Sequence, residues 1–324
     1  MNSDEKLKRK IFNAVGKVIN RLGQNEAMAT QDLSKDVTEG MPELLRAAAA
    51  EGTVLLRNDN VLPISRDCEI SVFGRVQNDW FYVGYGSGGD VNAPYKIGFM
   101  QGLADAGVNV NKNLAEVYEK WCKENPVDDG FWGHWPMCYE EMPVSRELAR
   151  EASKNSDTAI VIIGRAAGED RENKLEKGSY YLTDTEKELL DSVTTAFDKV
   201  VVLLNCGGIM DMSVIDSYGD KISAILYVWQ SGMESGNSVA DVLSGDVSPC
   251  GKLPVTIYDG EHNLPDFEDY SMLGRTYRYI EGEALYPFGY GLSFTKYVYD
   301  NAKIISNDEN KIKVIDRVAI ITPD

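Results

Sequence analysis

Histidine is nearly missing from this chain of 324 residues, which carries only His134 and His262. That scarcity argues against a histidine-rich metal site and against a Ser-His-Asp hydrolase, whose nucleophile needs an imidazole beside it. Cysteine is no better supplied for a framework. Cys68, Cys122, Cys138, Cys206 and Cys250 are odd in number and contain no Cys-x-x-Cys pair, which argues against both a disulfide scaffold and a structural zinc. No apolar run is long enough to cross a bilayer, so no membrane partner is expected. The first residues, MNSDEKLKRKIFNAVGKVINRLG, hold charge but no apolar core of signal-peptide length, and the chain reads as cytoplasmic. Positive charge is also in deficit: 33 Lys and Arg against 51 Asp and Glu leave a net charge of −18. Such a surface repels nucleic acid and leaves neutral ligands permitted. There is no internal repeat and no low-complexity tract.

What is present is enough apolar material for a core, at 43% of residues, arranged in two alternating textures. Residues 5 to 22 read as an amphipathic helix, with Leu7, Ile11, Val15, Val18 and Ile19 at helical spacing, followed by a polar linker to residue 40. A second helix starts near Pro42, a residue suited to a first turn, and leads into TVLLRN. Short runs rich in β-branched residues then recur at 70–73, 158–163, 200–204 and 224–228. Each is apolar on both faces, as a strand covered on both sides of a parallel sheet must be. Helical segments lie between them at 145–154, 183–197 and 235–243, the second opening on a capping box, Thr183-x-x-Glu186. The order predicts an α/β fold: an open, largely parallel sheet with helices on both faces. From Gly251 to Phe294 glycine, proline and aromatic residues dominate without a helical period, as in a segment that wraps a domain. Beyond Tyr297 the chain reads as β-strands; two strands are not stable by themselves, so this is the start of a further β-domain.

Several motifs carry possible chemistry. Gly84-Tyr85-Gly86-Ser87-Gly88-Gly89 fits G-x-G-x-x-G, but a dinucleotide site needs a strand directly before it and a helix directly after. Neither is expected at this position, so the segment reads as a loop where glycine lets backbone approach a ligand closely. Gly164-Arg165-Ala166-Ala167-Gly168-Glu169-Asp170-Arg171-Glu172 lies just past the carboxyl end of a buried strand, the edge where open α/β sheets bind ligands. Its carboxylates are either acid–base groups or part of a solvated loop. Cys206 has no histidine linked to it by spacing and reads as a buried structural thiol. The cluster Phe131-Trp132-Gly133-His134-Trp135 serves either core packing or sugar stacking.

Taken together, these segments resemble one family. GTVLLRNDNVLPI resembles the opening of the α/β-sandwich domain of glycoside hydrolase family 3, and GSGGDV its glycine loop. WQSGMESGNSVADVLSGDVSPCGKLPVT and YPFGYGLSFTKY resemble two more specific stretches, and all four come in the family order, from about Gly40 to Tyr297. The resemblance implies three parts: residues 1–40 as an N-terminal helix and linker, 41–297 as the α/β-sandwich, and 298–324 as the incomplete start of a fibronectin-like β-domain. It further implies a retaining β-glucosidase-type reaction on a β-linked glucoside or related oligosaccharide, without metal or cofactor. Glu169 matches the catalytic acid/base. Two residues of the usual motif are missing around it, which keeps Glu172 as a second candidate. Gly86, Ser87, Gly88 and Asp90 become the expected sugar contacts. The nucleophilic aspartate would come from a (β/α)-barrel, in cis or in trans, of which no motif is found in this chain; the layout resembles members with the sandwich ahead of the barrel. Two other functions compete: a non-catalytic carbohydrate-binding or partner-docking module derived from the same fold, and a nucleotide-binding protein resting on the glycine loop alone.

Overall fold

The structure, a computed structural model, describes residues 37–85, 93–128, 135–168, 174–260, 265–266, 268–308 and 311–321. The helix expected at 5–22 and the site candidates Gly86, Ser87, Gly88, Asp90, Glu169 and Glu172 lie outside the described residues.

Six strands form one sheet: β1 (Val54–Asn58), β2 (Glu69–Phe73), β3 (Asn109–Val110), β4 (Thr158–Arg165), β5 (Lys199–Cys206) and β6 (Ala224–Tyr227). Their order across the sheet is β1-β6-β5-β4-β2-β3. All neighbours are parallel except β1, which runs antiparallel along β6. Every residue of β4 is buried, as its unbroken apolar run requires. Alternate side chains feed two separate cores. Ala159, Val161 and Ile163 of β4 face one layer with Val200, Val202 and Leu204 of β5, closed by Leu189, Leu190 and Val193 of the helix Asp184–Ala196. Ile160, Ile162, Val201 and Leu203 face the opposite layer, closed by Phe99, Leu103, Val239 and Val242 from the helices Phe99–Asp105 and Ser235–Ser244. Helices therefore cover both faces, as expected.

Local signals act as the sequence predicts. Thr183 and Glu186 form a complete capping box at the start of Asp184–Ala196. Pro42 sits in the first turn of Met41–Gly52. The segment after Leu253 wraps the sheet edge through the bridges Leu55–Leu292 and Ile257–Tyr286. Strands β7 (Lys296–Asp308) and β8 (Lys311–Ile321) then pair antiparallel as a two-stranded sheet of their own.

Candidate active site

The strand order itself points to a crevice. The chain leaving β2 goes outward to β3, whereas the chain leaving β4 goes the other way to β5. Between two neighbours whose following segments diverge, the carboxyl edge of an open sheet is left uncovered, and ligands bind there. The segments that emerge at this switch point are Gly74–Tyr85 after β2 and Ala166–Gly168 after β4, the roots of the glycine loop and of the acidic loop.

These roots touch. The Tyr85 amide donates to the Ala167 carbonyl at 2.7 Å, and Tyr85 and Gly168 form an isolated parallel bridge. The approach is too close for side chains: a Cβ on Gly168 would stand 2.6 Å from the Tyr85 carbonyl oxygen. The two segments are thus joined one residue before Gly86 and one residue before Glu169. Whether those two, with Glu172, Ser87, Gly88 and Asp90, converge further out falls outside the described residues.

An aromatic pile backs the junction. Tyr85 stacks on Trp135 with centroids 5.6 Å apart, Phe81 stacks on Tyr139 at 4.6 Å, and the Tyr85 and Tyr139 hydroxyls share a 2.7 Å hydrogen bond. Trp135 is buried against this pile, so for that residue the packing reading holds; residues 131–134 are outside the described set. The segment carrying Trp135 is tied to the acidic loop as well, because the Ala166 amide donates to the Met137 carbonyl at 2.7 Å.

Polar side chains from β5 and the segment after β6 lock the same edge. Asn205, fully buried at the end of β5, accepts from the Phe81 amide and donates to the carbonyls of Phe81 and Trp229. Trp229 is held in a left-handed conformation (φ 55°), with its indole N–H donating to the Gly52 carbonyl. Gln230 donates to the Arg165 carbonyl at 3.0 Å. The far side of the glycine loop is fixed too: the Ile97 amide donates to Met233, the Gly232 amide to Tyr82, and the Lys96 ammonium lies 3.8 Å from the centre of the Tyr82 ring. Trp229, Gln230, Gly232 and Met233 belong to the specific stretch that opens WQSGMESG, whereas Asn205, Tyr82, Lys96 and Ile97 carry no motif. For Asn205 the one signal is its place in the last residues of an apolar strand run.

Burial displaces several ionisable groups at this edge, Glu141 and Cys206 among them. Burial pushes the Glu141 carboxyl up to about 8, although the Arg75 and Met142 amides donate to it and the Arg75 guanidinium lies near. Burial likewise pushes the Cys206 thiol up to about 12, which makes it a poor nucleophile and a structural residue. Among the described residues, no group of His, Cys, Asp and Glu could hold a metal ion, and no helix is long and apolar enough to cross a membrane.

Comparison with known proteins agrees with this architecture. The sequence profile described as "Glycosyl hydrolase family 3 C-terminal domain" matches residues 53–294. A β-glucosidase from Ruminococcus albus is 44% identical over 274 residues, covering 79% of this chain and 28% of that protein. The crystal structure of a β-glucosidase from Paenibacillus barengoltzii matches with a TM-score of 0.81 and 41% identity, over 88% of this chain and 33% of that one. β-Glucosidase 3B from Thermotoga neapolitana, solved in complex with glycerol, matches with a TM-score of 0.75 and 33% identity, over 86% and 41%. The chain thus spans between 28% and 41% of the length of these relatives.

Proposed function

Since the chain belongs to glycoside hydrolase family 3 and carries its C-terminal α/β domain, we propose that it is the acid/base-bearing part of a retaining β-glucosidase-type hydrolase. The observation that carries this reading is the Tyr85–Gly168 bridge, which joins the roots of the glycine loop and of the Glu169 loop at the switch point of the sheet. The partner is a (β/α)-barrel bearing an aspartate, in cis or in trans; the limited share of the relatives' length that this chain spans supports such a division. The domain limits at 41–297, with a fibronectin-like β-domain starting at 298, are supported by the family match over 53–294 and by the separate β7–β8 hairpin. Five free thiols, with Cys68 and Cys250 exposed, suit a reducing, cytoplasmic setting.

In this reading the barrel aspartate attacks the anomeric carbon of a β-linked glucoside while Glu169 gives its proton to the departing oxygen. The C–O bond breaks, the aglycone leaves as an alcohol, and a glycosyl-enzyme ester remains. Glu169, now ionised, takes a proton from water as that water attacks the same carbon and frees the aspartate. The two carboxyls must stand about 5–5.5 Å apart for this sequence. Gly86, Ser87, Gly88 and Asp90 hold the sugar from the neighbouring loop.

The test uses this chain combined with a barrel domain carrying the nucleophile. Glu169→Gln is expected to lose about 10²–10⁴-fold in rate on alkyl glucosides, whose leaving groups need a proton. Nitrophenyl glucosides are expected to lose far less in the first step, and added azide to restore turnover by attacking the glycosyl-enzyme without a general base. If Glu172→Gln gives that pattern and Glu169→Gln does not, the acid/base is Glu172. If neither does, the non-catalytic module is the better description.

A further inference from the structure

Arg165 ends β4 and directly precedes the acidic loop, yet its side chain is only 2% exposed and is the largest fully buried side chain among the described residues. All five guanidinium N–H groups find acceptors. Nε donates to the Ser179 carbonyl at 3.0 Å and Nη2 to the Tyr181 carbonyl at 3.2 Å. Nη1 donates to Gly164 at 2.8 Å, and the remaining N–H groups make a bidentate pair with Glu186 at 2.6 and 2.7 Å. Glu186 is equally committed, because its Oε2 also accepts from the Thr183 amide at 2.7 Å, as the N3 member of the capping box. One ion pair therefore joins four points: the last residue of β4, two carbonyls of the returning segment, and the first turn of the helix that follows.

A buried ion pair is not by itself a gain in stability. Buried ion pairs are costly to desolvate, and apolar residues of similar volume often replace them with no loss of stability. What apolar residues cannot supply is a planar fork that meets two backbone carbonyls and a carboxylate at fixed angles. The residues so gripped bracket the acidic loop: it leaves the sheet at Arg165 and comes back at Ser179–Thr183.

We propose that the Arg165–Glu186 pair is a positioning device that sets the two ends of the Glu169 loop, and through them the acid/base, against the crevice. This rests on the assignment of Glu169 above. The pair touches no substrate; it acts through the loop it spans.

Two arms test it. In the chain as it stands, the apolar double variant Arg165→Met/Glu186→Leu is compared with the wild type by amide hydrogen exchange and thermal unfolding. The expected result is a lowered melting temperature, since the Ser179 and Tyr181 carbonyls and the Thr183 amide lose their partners. Exchange in β4 and β5 is raised by no more than that global loss, with about tenfold faster exchange beyond it at Lys174, Tyr180 and Tyr181, whose amides are bonded within the returning segment. Unchanged exchange there, or faster exchange spread evenly over the core, overturns the proposal. In the second arm the same variant is combined with the barrel domain. A loss of roughly 10²-fold in kcat on alkyl glucosides is expected, with KM little changed, a smaller loss on nitrophenyl glucosides, and partial rescue by azide. Equal losses on both substrate classes that follow the melting temperature assign the pair a merely structural role. If Glu169→Gln itself lacks the leaving-group signature, the acid/base assignment fails, and the exchange data still judge the pair.

Discussion

At the scale of single residues, the candidate crevice is built by partners that share no chemistry with the proposed reaction. Asn205 spends its side-chain amide on holding two loops together, and its full burial leaves it nothing to offer a sugar. Glu141 is a buried carboxyl whose charged form is disfavoured. Its folded value of about 8 stands above the ordinary 4.5 chiefly because burial penalises the carboxylate, and the two backbone N–H donors and the Arg75 guanidinium only partly offset that. A carboxyl raised on folding takes up a proton as the chain folds at intermediate pH. Its contribution to stability is complete below about 4.5 and is lost as pH rises through about 8. Urea midpoints measured at pH 5, 7 and 9 should therefore fall for the wild type relative to Glu141→Gln, which cannot titrate. A constant difference between the two proteins would mean that the backbone donors win and Glu141 is ionised throughout.

At the scale of elements, close backbone contact decides more than side-chain volume where the helices Phe99–Asp105 and Ser235–Ser244 meet. A Cβ on Gly102 would stand 2.1 Å from the Gly236 carbonyl oxygen, and a Cβ on Gly236 would stand 2.1 Å from that of Gly98. Alanine is the better helix former by about 1 kcal/mol, but overpacking of this kind costs about 1–3 kcal/mol or more, so Gly102→Ala should lower the melting temperature. Gly98→Ala, with open space around its Cβ, should be close to neutral. A Gly102→Ala protein as stable as wild type would show that the two helices can separate without loss. The central strands were legible because two-sided burial leaves a mark in the sequence: β4 and β5 differ from the expected runs by one or two residues at their ends. The helix Lys112–Glu124 is not among the elements the sequence predicts. Leu114, Tyr118 and Trp121 do recur at helical spacing behind an Asn111 cap, but the charged residues between them dilute the apolar signal. β3 is two residues long, too short to show any period, and nothing local fixes the antiparallel direction of β1. The site divides the same way. Strand ends can be read from sequence and mark the two loops, whereas the bonds joining Asn205 to Phe81 cross 124 residues and belong to the fold alone.

At the scale of the whole molecule, the question is what this chain does without a barrel. Retaining hydrolysis needs a nucleophile and an acid/base on opposite sides of one bond, and under the proposed function they belong to two different domains. Each gains its rate from a sugar held between them, since positioning of this kind is worth about 7–11 kcal/mol, which one domain cannot supply alone. The wrapping segment also leaves Tyr270, Leu273, Tyr277, Tyr279 and Phe288 exposed, with Tyr277 and Phe288 stacked at 4.2 Å. A run of large apolar side chains in water favours association, so the isolated chain should self-associate as its concentration rises. The net charge of −18 opposes this, and salt, by screening that repulsion, should promote it. Incubated with an aryl β-glucoside, the purified chain is expected to show no turnover above a Glu169→Gln control, at any point along that association curve. The control matters because a trace of host glycosidase would survive the substitution, whereas activity belonging to the chain would not. Sustained turnover abolished by Glu169→Gln would place a nucleophile within these 324 residues and would dissolve the division of labour between domains.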